Sequence, residues 1–175
     1  MKRRTVIAMG ICGIGIGGVL TGIPRESSAD MPYSVSISNT DSVRGNSPLD
    51  LSFEITDDTI SEDSPAWVQV SVTNTEDQTV EYRTGTPKPF GVLLANDKTL
   101  WTEKYREDPG TSTKGKTVVG GTDGGPSVVL QPDVKKSERY ELRSSPGEYT
   151  IREVGHSLRI DGEVYKPTLH ITADS

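Results

Sequence analysis

Leu49, Leu51, Phe53 and Ile55 alternate with Asp50, Ser52, Glu54 and Thr56, and this period of two constrains the fold more than any other feature of the chain. Successive side chains of an extended strand point to opposite faces, so the pattern places one face in a core and the other in water. Val68, Val70 and Val72 repeat it between Gln69, Ser71 and Thr73. Val80 and Tyr82 resume it after the turn residues Asn74-Thr75-Glu76-Asp77, which predicts a hairpin-like unit. Further apolar or alternating runs cover Gly91 to Ala95, Ser127 to Leu130, Tyr140 to Leu142 and Tyr149 to Val154. Leu158 to Ile160 and Val164 to Ile171 flank Asp161-Gly162, a dipeptide that favours a tight hairpin turn.

After the first 29 residues, no dozen-residue window keeps apolar side chains at i, i+3, i+4 and i+7. Val134 to Arg143 is rich in helix formers, but its Tyr140 and Leu142 suit a strand, and a strand is the expectation there. Short strands punctuated by turn residues, without a strand–helix rhythm, predict an all-β antiparallel sandwich of about seven to nine strands. Trp67 and Trp101 are most simply packing residues of such a core.

The first 29 residues read as a leader. Lys2-Arg3-Arg4 is a positive start, Thr5 to Gly22 is uncharged, and Ser27-Ser28-Ala29 offers small residues for cleavage before Asp30. The Arg3-Arg4 pair resembles a twin-arginine export signal. Six glycines in the uncharged run weaken the alternative of a retained membrane anchor. Gly13-Ile-Gly15-Ile-Gly17-Gly18 fits a dinucleotide-binding fingerprint, yet Pro24 follows and no helix does, so the leader explains the glycines. The domain is then expected over residues 30–175, in a secreted or cell-surface compartment, with no stable membrane span after cleavage.

Without the leader the chain keeps 15 basic and 24 acidic side chains, a net charge of −9. That balance opposes binding to nucleic acid or to an anionic membrane surface. Cys12 is the only cysteine and lies in the leader, so the remainder has neither a disulfide nor a thiol nucleophile.

Three patterns touch on chemistry. Gly110-Thr-Ser-Thr-Lys114-Gly115-Lys116-Thr117 fits the phosphate-binding loop, but the Arg106-Glu107-Asp108-Pro109 before it and the four glycines between 120 and 125 oppose a strand–loop–helix context. The expectation is a flexible linker that binds no nucleotide and in which Lys116 is dispensable to stability. His156 and His170 are the only histidines, and neither has a partner at metal-ligand spacing. His170, between Leu169 and Ile171, is expected on the outward face as a solvated residue. Asp57-Asp58 with Glu62-Asp63 is expected as a solvated acidic turn, with calcium at most incidental. No nucleophile-elbow motif surrounds a serine, so neither catalytic residues nor a cofactor or metal is expected, and the protein is not expected to be an enzyme.

Val70-Ser-Val-Thr-Asn74-Thr-Glu-Asp-Gln-Thr-Val80-Glu-Tyr82, Phe90-Gly-Val-Leu-Leu-Ala-Asn-Asp leading to Trp101, Val128-Val-Leu-Gln-Pro132 and Ser145-Pro-Gly147-Glu-Tyr149-Thr-Ile151 share a plan with small exported Ig-like domains. The arrangement is similar to the BsuPI-type intracellular proteinase inhibitors over about residues 66 to 154. The resemblance implies an Ig-like sandwich and, as a second function, protease inhibition. The family places a Pro-Gly turn before its penultimate strand, where this chain has Pro132-Asp133-Val134. The acidic, Asp/Thr/Gly/Val-rich composition also resembles that of secreted proteins from salt-loving archaea.

The leading functional expectation is an exported, non-enzymatic interaction module that binds a protein or envelope component. The Gly-rich loop expected at 102–126 is the place for the contact, because its last 17 residues hold six glycines and should stay mobile. Trp101, Tyr105 and Arg106 at its entrance are the candidate partner-binding residues.

Overall fold

A computed structural model describes residues 32–38, 40, 47–121, 125–154, 158–161 and 163–173. Within them the chain is an antiparallel β-sandwich. One sheet has six strands in the order β3 (Thr59–Ile60), β1 (Tyr33–Ser38), β15 (Thr168–Ala173), β12 (Gly147–Glu153), β6 (Leu93–Ala95) and β7 (Lys98–Thr99). A second has three, β11 (Lys135–Leu142), β4 (Ala66–Asn74) and β2 (Leu49–Asp57). Two-stranded pairs join β10 (Ser127–Leu130) to β5 (Val80–Arg83), β13 (Arg159–Ile160) to β14 (Glu163–Val164), and β8 (Thr111–Lys114) to β9 (Thr117–Gly121). The one described helix, α1 (Lys104–Glu107), is a single turn.

Alternation explains the central strands. Ala66, Val68, Val70 and Val72 are fully buried, and each such valine stabilises the fold by about 1.5 kcal/mol through its burial. Opposite them, Val35, Ile151, Leu169 and Ile171 of the six-stranded sheet belong to the same core cluster. Within Val134 to Arg143, Lys135–Leu142 is strand β11, as the tyrosine and leucine suggest, paired with β4 from Lys135↔Thr73 to Leu142↔Ala66.

Four expectations are corrected. First, β4 and β5 do not pair with each other: β4 lies between β2 and β11, while β5 pairs with β10. Asn74 accounts for this crossing. Its fully buried Nδ2 donates to Gln78 O at 2.8 Å and to Leu130 O at 3.1 Å, which ties the turn to the end of β10. Second, the expected strand Val164 to Ile171 is broken into β14 and β15 around Pro167, which has no N–H for a ladder. Third, Trp67 is only half-buried on the outer face of β4, with the Arg139 guanidinium 4.8 Å from its ring centre.

The fourth concerns residues 102–126. Instead of one long loop, the segment carries α1 and the β8–β9 hairpin. Gly115 has φ +61 at the two-residue connection Gly115-Lys116, between the paired Lys114 and Thr117, and that is the backbone a tight hairpin requires. The β-branched run Thr117-Val118-Val119 supplies the strand, and Val118 N donates to Thr99 Oγ1 beside β7. Among the described residues no helix is long and apolar enough to cross a membrane. The expected leader lies outside the described residues.

Candidate functional site

Trp101, Tyr105 and Arg106 do come together, but mostly inside the molecule. Trp101 bridges Glu141 at the end of β11 and is 3% exposed; Tyr105 on α1 is fully buried. Their rings meet edge to face, 5.8 Å apart at 76°, an arrangement that aligns ring edge with ring face. Trp101 Nε1 donates to Glu103 at 3.1 Å. Arg106 alone stays at the surface, its guanidinium 5.4 Å from the Trp101 ring centre and 2.6 Å from Glu103. The two aromatic residues therefore root the segment, and the expectation that they present anchors to a partner is corrected by their burial.

That root locks the neighbouring loop. Tyr105 OH accepts from Leu93 N at 2.9 Å and donates to Gly91 O at 3.4 Å. Tyr82 OH donates to Pro89 O at 3.1 Å, and Glu153 Oε1 accepts from Gly85 N at 3.0 Å. Burial pushes the phenols of Tyr82, Tyr105 and Tyr140 well above the usual tyrosine range. Gly91 has φ +69, and a Cβ there would lie 2.9 Å from both Glu153 Oε1 and Gly85 Cα, so any side chain would strain this turn. Residues 84–93 are thus held from below by two phenols and one carboxylate.

The phosphate-loop pattern is used structurally. Lys116 donates to the carboxylate of Glu141, whose side chain is 8% exposed and is also 3.4 Å from Arg143 Nε. Residues 111–121 form a hairpin rather than a loop opening a helix, which removes the helix N-terminus that phosphate binding uses. This pairing gives Lys116 a structural partner that the linker expectation did not include. On the other side, Lys104 pairs with Glu138, which also accepts from Thr102 Oγ1 at 2.6 Å. Arg106, Lys114 and Val119 are among the residues exposed at this end, the last 62% exposed.

A second constellation went unread in the sequence. On the outer face of the six-stranded sheet, His170 Nε2 lies 2.8 Å from Ser38 Oγ and its Nδ1 lies 3.7 Å from Glu148 Oε2. His170 faces outward as expected, yet its two nitrogens meet protein groups. Its partners are 132 and 22 positions away in the chain, so only knowledge of the strand pairing would have found them. His156 lies outside the described residues. Asp57 accepts from Thr59 N at 3.3 Å in the acidic turn, and among the described residues no three His, Asp or Glu side chains are placed to hold a metal ion.

No curated protein and no solved structure matches the chain. A family described as a domain of unknown function, DUF8130, matches residues 1–158, and the chain belongs to that family.

Proposed function

We propose that this protein is an exported Ig-like interaction module, acting outside the cell or at its surface, whose partner is another protein or an envelope component. The observation that carries the reading is the locked backbone of residues 84–93 and 101–121, fixed by Tyr82, Tyr105, Glu153 and the Lys116–Glu141 pair. Loops ordered before binding lose little entropy when a partner docks, so buried groups spent on holding them support a recognition role. Arg106, Lys114 and Val119 are among the groups this scaffold offers to solvent, beside the acidic Glu103 and Glu107. The assignment concerns binding and requires neither nucleotide nor nucleic acid. Affinity capture from envelope extract at native salt, with Arg106→Glu and Val119→Asp beside the unaltered chain, tests it. One partner should be held by the unaltered chain and lost from both variants; retention by both sinks the reading.

Inhibition of a protease, as in the BsuPI-type family that the chain resembles, is the second reading. It draws on the β8–β9 hairpin, where Lys114 at the end of β8 and the turn residue Gly115 are exposed. Residual activity of serine proteases at equimolar protein measures it directly, and full activity throughout the panel excludes it.

Export rests on the leader expected at residues 1–29. Changing Arg3 and Arg4 to lysine keeps the charge and should trap a folded precursor in the cell. Unimpaired secretion of that variant would favour the general secretory route or an anchor.

A further inference from the structure

Ser38, His170 and Glu148 sit on β1, β15 and β12, three adjacent strands of the six-stranded sheet. Register brings them together. His170 is the direct cross-strand partner of Glu148 on one side and of Ser36 on the other. Ser38 lies two residues further along β1, the diagonal position that a long side chain reaches by leaning along the strand. The imidazole leans that way: Nε2 is 2.8 Å from Ser38 Oγ, while Nδ1 faces Glu148 at 3.7 Å.

The order of the groups matters more than their number. A carboxylate beside Nδ1 favours the tautomer with its proton there, which leaves the Nε2 lone pair to accept from the Ser38 hydroxyl. A hydroxyl on the accepting nitrogen and a carboxylate on the donating one is the arrangement that turns serine, a weak nucleophile by itself, into an effective one. Ser36 is also on β1, exposed and on the same face, but it is not the hydroxyl that His170 engages.

We propose that Ser38 is an activated nucleophile, with His170 as its general base and Glu148 positioning the imidazole, and that it takes acyl groups from activated esters. The inference goes beyond the binding role and concerns a different surface. Ser38 Oγ bonds to the acyl carbon as its proton passes to His170 Nε2. The bond from that carbon to the leaving oxygen breaks, and the proton moves from Nε2 to the leaving group, which departs as an alcohol or phenol. Water then adds to the acyl carbon with its proton taken by Nε2; the carbon–Oγ bond breaks, Oγ recovers the proton, and a carboxylic acid leaves. The His170 and Glu148 side chains are 38% and 71% exposed, so the site is shallow and has little surface with which to orient a substrate. This selects acyl donors already activated by their leaving group, aryl esters above all.

The test treats the full chain with a fluorophosphonate probe and, separately, with p-nitrophenyl acetate, and locates the adducts by fragment-ion sequencing. Ser36 is the internal reference. Ser38 should be modified about 100-fold faster than Ser36, the size of a general-base contribution. His170→Gln should bring Ser38 down to the rate of Ser36, and Glu148→Gln should slow it about tenfold by loosening the ring. Equal rates at Ser38 and Ser36, no adduct on either, or an undiminished Ser38 rate in folded His170→Gln would overturn the proposal. The ratio in the unaltered chain decides without any variant.

Discussion

Lys116, in the turn of the β8–β9 hairpin, donates to Glu141 of β11, and this contact fastens an exposed hairpin to the second sheet. Glu141 is nearly buried, so the lysine neutralises a carboxylate that water cannot fully solvate. Lys116→Ala should cost about 1–2 kcal/mol, with Arg143 left as the cation paired with that carboxylate among the described residues. Urea denaturation reads the loss, and the pairing predicts that Glu141→Gln in the same chain recovers part of it.

The same pairing bears on nucleotides. Titration of the protein with ATP and magnesium should give no heat, because the lysine that would meet the phosphates is engaged and the hairpin has no helix start. Binding tighter than about 100 μM, or roughly −5.5 kcal/mol, would contradict this account.

Alkaline pH should unfold the protein earlier than its charge suggests. Burial raises the folded-state pKa of Tyr82, Tyr105 and Tyr140 above the ordinary 10.0, so these phenols stay protonated when the unfolded chain would release them. Their contribution is complete below pH 10.0 and disappears as pH rises beyond it, by roughly 1.4 kcal/mol per pH unit for each tyrosine. Urea midpoints measured across pH 8 to 11 should fall steeply only above pH 10, and Tyr105→Phe should flatten the slope.

Gly91→Ala should destabilise the loop by about 2 kcal/mol, from a positive φ that alanine resists and from contact with Glu153 and Gly85. Thermal denaturation measures it. An unchanged midpoint would mean that the grip of Glu153 on this loop is weaker than its geometry states.

The strands that could be read from the sequence are those whose two faces differ. β2 and β4 alternate because one side meets the core, so their existence was plain, although β4 also takes in Ala66, Trp67 and Asn74, the last read as a turn residue. β5 alternates too, but its pairing with β10 rather than β4 goes with buried Asn74, whose donation to Leu130 O spans 56 residues and leaves no local signal. The Gly-rich stretch misled because composition suggested mobility while Gly115 at a two-residue turn was itself a hairpin mark. Trp101 and Tyr105 were singled out as binding anchors, but aromatic residues at a loop entrance read alike whether they face a partner or the core, and both are buried. Ser38, His170 and Glu148 share no segment, and their meeting is a property of register alone.

Register also sets the order in which the fold can close. β15, the last of the described strands in the chain, lies between β1, the first, and β12. The six-stranded sheet thus holds its early and late strands apart until residues 168–173 arrive, and every pairing from Tyr33↔Ala173 to Ser38↔Thr168 spans more than a hundred residues. Closing such distant pairs is slow. During synthesis β1 has only the two residues of β3 to pair with early, and its other edge waits for residues 168–173, so assembly of this sheet follows their translation rather than keeping pace with it.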